Sequence, residues 1–415
     1  MKRIVVIGSG ISGLSAAYFL SRKHEIYMFE RDNRVGGHTH TVMVDSGKGQ
    51  IPVDTGFIVH NDRTYPNFCR LMNELGVETQ PSDMSFAVTA LSGTFEYSSH
   101  GLRGFFAQKS NLFSARHYTL LREILRFNRE APKVLANPGA EGKTLGQFLD
   151  DGAYSTVFVE RYLIPMAGAV WSMAPEIMPD FPVLTLVRFM QNHGMLGINT
   201  HPNWKTIQGG SHSYLGPITA PFQKRIAKDT TITSIERQER GVTIQLQDRP
   251  AQQFDEVVFA CHGDQILPLL ANPTEAERTI LNSFTSTRNE TCLHTDATLL
   301  PRREAARASW NYLLGDAGKV TVTYHMNRLQ SLQTAEDYCV TLNANGELDR
   351  GKVLRSMIYE HPLYNRAAIR AQERWSEISG KNNTHFCGAY WFYGFHEDGV
   401  KSGMRVAEAL GVGCS

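Results

Sequence analysis

Gly8, Gly10 and Gly13, spaced G-x-G-x-x-G, and the acidic side chain Glu30, seventeen residues past Gly13, are the groups in this 415-residue chain whose types and spacing point most directly to chemistry. A glycine at Gly10 lets a diphosphate approach the backbone, with Ile11 and Ser12 beside it as further binding candidates, and the phosphates then meet the positive N-terminus of the helix that follows. Glu30 stands where a carboxylate accepts hydrogen bonds from ribose hydroxyls. Together they describe a site for a dinucleotide.

Such a site needs particular elements in a particular order. Ile4–Ile7 is a β-branched run of the kind found in a buried parallel strand, and it leads directly into Gly8. Gly8 permits the tight turn, Gly13 lets a helix over Leu14–Ser21 lie close to the strand, and Ile26–Phe29 is a second strand ending at Glu30. Three glycines alone would mark only a strand–helix turn; strand, glycines, helix, strand and acid in sequence make the nucleotide reading specific.

Other chemistries find little support. His38-x-His40 lacks a third ligand at a recognisable spacing, so no metal site is expected. A Ser/His/Asp hydrolase would need a nucleophile elbow, and none is present. The six cysteines contain no C-x-x-C pair and suggest neither a zinc site nor a disulfide framework, which fits a reducing cytoplasm. With 42 basic and 41 acidic residues the net charge is +1, and no field attracts nucleic acid. The apolar run after Lys2-Arg3 stops at Gly8, too short for a signal peptide, and no stretch is long enough to span a membrane.

Further motifs carry a family resemblance. Arg31-Asp32-Asn33-Arg34-Val35-Gly36-Gly37 and Val53-Asp54-Thr55-Gly56 resemble the flavin-containing amine oxidase and phytoene desaturase superfamily, where a double glycine brings backbone to the diphosphate again and a D-x-G turn follows. VDTGFIVHN, PMAGAVWSMAP, TYHMNRLQ and FCGAYWFYGFHEDGVKSG are similar to a bacterial group of amine-oxidase-like proteins, some of which look like desaturases of methyl-branched unsaturated fatty acyl chains.

This resemblance implies FAD as cofactor and an α/β fold: a discontinuous Rossmann-like FAD-binding domain over 1–80, 203–266 and 381–415, and an α+β substrate domain over 81–202 and 267–380. It implies that Arg31, Gly36, Gly37, His38, Thr55 and Gly56 join the fingerprint around the cofactor, that Ile235 packs near the adenine, and that Ala260–Gly263 passes near the dinucleotide. It further implies that Gly388 leads into a loop and that Gly399 and Val400 open a helix aimed at the flavin's pyrimidine ring. Two departures stand out. His38 replaces the arginine that commonly follows the double glycine, leaving Arg34 or Arg63 to neutralise the diphosphate. No lysine lies between Lys228 and Lys319, where many amine oxidases place one near flavin N5. His294 is the polar candidate near that position, with Trp391 and Tyr393 as aromatic candidates beside the flavin.

Between these motifs, Thr64–Gly76 has helical apolar spacing, residues 81–101 alternate as strands do, and Thr231–Arg237 with Val242–Leu246 reads as a hairpin. Phe254–Cys261, Glu290–Thr295 and Val320–Met326 read as strands. Tyr154–Trp171 and Phe181–Gly197 are apolar helical segments expected to wall a substrate cavity, or simply to be core. Gly101–Arg129 is basic and aromatic with Glu123 as its only acid; it reads as a surface helix pair or as a face that meets a membrane or an acyl-carrier partner. The expected protein is an FAD-dependent oxidoreductase located in the cytoplasm or peripheral to the inner face of the membrane, acting on an apolar or lipid-like substrate. Amine oxidation and a non-catalytic lipid-binding escort role are the alternatives.

Overall fold

A computed structural model describes residues 1–90, 92–171, 173–197, 202–315, 320–344 and 346–414. A five-stranded, wholly parallel sheet forms around Arg3–Ile7, whose Ile4, Val5 and Val6 are completely buried. Glu25–Phe29 flanks it on one side with Ile226–Ala227 beyond, and Glu256–Phe259 on the other with Thr384–Phe386 beyond. The strands therefore come from three separated stretches of chain. Ile11–Leu20 crosses from the first strand to the second and is apolar nearly all round, because helix and sheet cover it on both sides.

A seven-stranded mixed sheet forms the second body. Its order is Val353–Pro362, Ser286–His294, Cys339–Leu342, Thr321–His325, Trp310–Leu314, Phe86–Ala90 and Glu96–Ser98, with only the pair Trp310–Leu314 and Phe86–Ala90 parallel. Helices Ala115–Glu130, Ile164–Trp171 and Val183–Asn192 share one apolar core with it. The hairpin Ile232–Gln238 and Gly241–Leu246 turns at Gly241, whose φ is +99°.

Core membership departs from the boundaries expected at 267 and 380. Ile280, Leu281, Ala368, Trp375 and Ile378 pack in the core of the parallel sheet, while Val53, Ile58 and Val59 pack in the other core. Val59 and Ile207, which pack in opposite cores, belong to one small sheet of Val59–Asn61, Trp204–Ile207 and Thr79–Pro81, where the chain crosses between the bodies.

The C-terminal helix spans His396–Ala409 and starts three residues before the expected Gly399. Gly399 and Gly403 lie inside it, where glycine disfavours helix by about 1 kcal/mol, and both face Ile11–Leu20. A Cβ on Gly399 would sit 2.5 Å from Ile11 Cγ2, and one on Gly403 2.7 Å from the Ala16 nitrogen and the Ser12 oxygen. The two helices thus touch backbone to backbone. Gly403→Ala should destabilise the protein by about 1–3 kcal/mol through overpacking, outweighing its gain in helix propensity; equilibrium urea unfolding measures this, and an unchanged or raised midpoint would contradict the contact.

Candidate cofactor and substrate site

Each fingerprint glycine has a separate physical reason. Gly8, at φ +99°, runs against the exit of the neighbouring strand, and a Cβ there would lie 3.0 Å from the Ala260 carbonyl carbon. A Cβ on Gly13 would overlap the Gly8 carbonyl oxygen. One on Gly10 would meet nothing within 4 Å. Gly10 caps Ile11–Leu20 without a side-chain hydrogen bond, and helix geometry leaves the first-turn amides of Ile11 and Ser12 without intrahelical partners. Open space in front of unpaired amides is the cradle a diphosphate requires.

The double glycine folds back onto this turn. The Gly36 amide donates to the Ser9 carbonyl and to Ser9 Oγ, both at 3.1 Å, and a Cβ on Gly37 would stand 3.0 Å from Gly10 Cα. Glu30 closes the same loop: one carboxylate oxygen accepts from the Ser9 amide at 2.9 Å and Ser9 Oγ at 2.5 Å, the other from the Asp32 amide at 2.9 Å. A carboxylate offers about four lone-pair positions, so Glu30 retains acceptor capacity for a ribose hydroxyl. Gly56 is required because a Cβ there would overlap the His38 carbonyl oxygen.

A cavity of about 1020 Å³ joins these loops to the second body. Gly8, Gly10, Ile11, Ser12, Glu30, Arg31, Gly37, His38, Thr55, Gly56 and Gly388 line it. Gly13, Gly36, Ile235, Gly399 and Val400 do not; they support the wall from behind, and Ile235 is wholly buried in its hairpin. Arg34 lines the cavity and is available for the diphosphate, whereas Arg63 donates to the Gln191 carbonyl and lies outside it. The C-terminal helix presents its first residue, His396, to the cavity; the ring stacks on Phe57 at 3.6 Å. Helical amides again head toward the space, here from beside Ile11, whose Cγ2 a Cβ on Gly399 would meet at 2.5 Å.

The three catalytic candidates are not on the cavity wall. His294 is completely buried in its strand, with Nε2 2.7 Å from Thr341 Oγ1 and Nδ1 accepting from the Asp296 amide at 3.1 Å, so both ring nitrogens are engaged in holding the sheet together. Trp391 packs inside against Phe284 and Tyr390, and Tyr393 turns toward Phe189. The loop instead offers Tyr390 and Phe395 to the cavity, since the short helical turn Ala389–Trp391 and the turn after it rotate alternate side chains inward. On the strand where a lysine was sought, the cation at the cavity is Arg288, with Glu360 4.0 Å away.

Two features were not singled out from the sequence. His38, His262 and His361 gather on the wall, with rings 6.3 and 5.3 Å from His38. Desolvation holds all three below the ordinary histidine range, His361 at about 4, so they are neutral at pH 7. His361 Nδ1 takes the Asn289 amide hydrogen at 2.8 Å, which leaves its proton on Nε2. The second is Asp54 of the D-x-G turn: wholly buried, it accepts from Thr41 Oγ1, from the Ser211 amide and hydroxyl, and from Gln330 Nε2. Burial pushes it up to about 6 against those hydrogen bonds. Its role is to clamp three stretches of chain behind the cavity. A carboxylate adjoining two glycine-containing turns was the available signal.

The comparisons agree with this geometry. The family described as flavin containing amine oxidoreductase matches residues 11–362. An L-amino acid dehydrogenase of Synechocystis sp. is 22% identical over 253 residues, which are 58% of this chain and 52% of that protein, so the match spans about half of that relative. Among solved structures, a putrescine oxidase bound to putrescine aligns at TM-score 0.69 and 13% identity over 99% of this chain and 98% of that one. A CLA-producing fatty acid isomerase from P. acnes aligns at TM-score 0.65 and 14% identity over 97% of each chain.

Glu30→Ala should weaken FAD binding about 10–150-fold, the loss of roughly 1.5–3 kcal/mol expected for hydrogen bonds to a charged acceptor; titration calorimetry measures it, and an unchanged dissociation constant would remove Glu30 from the ribose. Stability should fall as pH drops from about 6.5 to about 4, because the buried His60, His294 and His396 are held near 4, 4 and 3 by desolvation and the unfolded chain takes up those protons first. Asp54 at about 6 and Asp398 at about 7 act in the opposite sense over part of that range, with smaller summed displacement. Thermal melts across the range check the sign. With the glycine cradle, the Glu30 carboxylate beside it, the second helix N-terminus and the family match in view, this chain belongs to the flavin-containing amine oxidoreductase family, whose cofactor is FAD.

Proposed function

We propose that the protein is an FAD-dependent oxidoreductase that oxidises an acyl chain, with a methyl-branched unsaturated chain as the substrate class. FAD supplies the two-electron acceptor when bound. The observation that carries the substrate reading is the distribution of charge along the cavity. Its carboxylates, Glu30, Asp32, Asp264 and Glu360, all belong to the nucleotide loops or to the strand ends beside them. The far half is walled by Phe105, Leu121, Ile124, Tyr162, Met166 and Phe189, and no acid among the described lining residues faces an ammonium there.

An amine bound as a cation in that half would be desolvated without a counter-ion, which is costly. An acyl chain gains instead about 0.8 kcal/mol per buried methylene, and ten methylenes leave several kcal/mol to position the reacting carbon after ordering costs. The chain's residues would act as follows. The apolar wall orients the acyl chain and excludes water, and Tyr390 and Phe395 border its path toward the helix His396–Ala409. The neutral His361 carries its proton on Nε2 and so offers a donor at the nucleotide end. The cation Arg288 lies beside Glu360 at that end. The fatty acid isomerase among the structural neighbours adds that this fold accommodates such a chain in another protein.

Anaerobic mixing of the FAD-loaded protein with detergent-dispersed branched unsaturated acyl lipids should bleach the flavin absorption, while simple primary amines leave it oxidised. Bleaching by amines with no response to the lipids would overturn the reading in favour of amine oxidation.

A further inference from the structure

The stretch 101–129 folds as a short helix Gly101–Phe105, a 3-10 turn Lys109–Phe113 and the helix Ala115–Glu130. His117 ties them together, its Nε2 2.8 Å from the Phe105 carbonyl and its ring 4.1 Å from that of Phe105. The outer face of this unit is unusual. Leu102 is 69% exposed and Phe113 92% exposed, and Leu112, Tyr118 and Leu125 are each exposed by 45–48%.

The exposed, unpaired charges of this unit have one sign. Arg103, Lys109, Arg116 and Arg122 are exposed and form no ion pair among the described residues. Glu123 points inward and holds the Ser155 amide and hydroxyl. Arg126, by contrast, is committed to Glu130 at 2.9 Å and to the face of Tyr154. At 3.6 residues per turn, Tyr118, Arg122, Leu125 and Arg129 share one side of the long helix, opposite the buried Leu120, Glu123 and Phe127. Leu102 and Leu125 also line the cavity, so its apolar half meets the surface between exposed apolar side chains on a basic face.

We infer that this face docks on an anionic lipid bilayer and that the cavity mouth between Leu102 and Leu125 admits an acyl chain directly from the hydrocarbon. Unpaired cations of one sign complement anionic headgroups. Apolar side chains spread over a wide face insert into the headgroup boundary, as on interfacial helices. The inference rests on the acyl reading only for what passes through the mouth; docking stands on exposure and charge.

The test uses the full-chain, FAD-loaded protein and sedimentation with vesicles of phosphatidylcholine mixed with phosphatidylglycerol, and of phosphatidylcholine alone. Binding to the anionic vesicles, weakened by salt and absent from the neutral ones, is expected. Each basic residue near such a surface strengthens binding about fivefold, so the combined variant R103E/K109E/R116E/R122E should lose more than about a hundredfold, and Phe113→Ser should weaken binding while keeping the flavin spectrum. Detergent-dispersed acyl lipids should still bleach both variants, which separates failure of docking from failure of the acyl reading. No binding to anionic vesicles, binding indifferent to charge reversal, or saturable binding to an acidic acyl-carrier protein in place of vesicles would overturn the inference.

Discussion

Backbone touching backbone at one place governs the architecture. Ile11–Leu20 packs on the turn after the first strand through Gly13 and on the C-terminal helix through Gly399 and Gly403, so elements from opposite ends of the chain meet at glycines, backbone against backbone at Gly403. This arrangement brings the starts of two helices, at Gly10 and at His396, to one cavity. Helix starts carry partial positive charge, and an anionic cofactor held in this cavity would be favoured by both. The parallel strands fix the directions, since each helix runs back along the sheet from a strand's carboxyl end.

Everything behind that meeting serves to hold it. Asp54 ties the D-x-G turn to Ser211 and Gln330, Glu30 ties the fingerprint to the start of the next loop, and Glu397 accepts from the amides of Asn67 and Phe68 at the head of another helix. Each of these carboxylates is engaged by backbone N–H groups, charge-assisted bonds that fix the loops they join. The second body contributes the apolar half of that cavity, through Phe105, Leu121, Ile124, Tyr162, Met166 and Phe189.

The nucleotide half was legible because its constraints are local. Gly8, Gly10, Gly13 and Glu30 lie within one strand–helix–strand unit, so spacing alone carries the geometry. The substrate half was not legible in the same way. Whether His294, Arg288, Trp391 or Tyr390 faces the cavity depends on strand register and on the twist of one short turn, and a shift of one residue in a strand reverses the side. His294 reads as a polar residue near the right place, yet its partners Thr341 and Asp296 come from pairings that sequence spacing does not reveal. The histidines at 38, 262 and 361 are 224 and 99 residues apart in sequence, and only the fold brings them to one wall.

The central claim is that the open space before Gly10 holds the FAD diphosphate. Gly10 has φ −66° and ψ 173°, a conformation any residue adopts, and a side chain there would enter only the cavity. Gly10→Leu should therefore fold and melt cooperatively like the parent but emerge from purification without flavin absorption, while the parent carries one FAD per chain. A Gly10→Leu protein that retained full flavin absorption would place the diphosphate elsewhere and contradict the account.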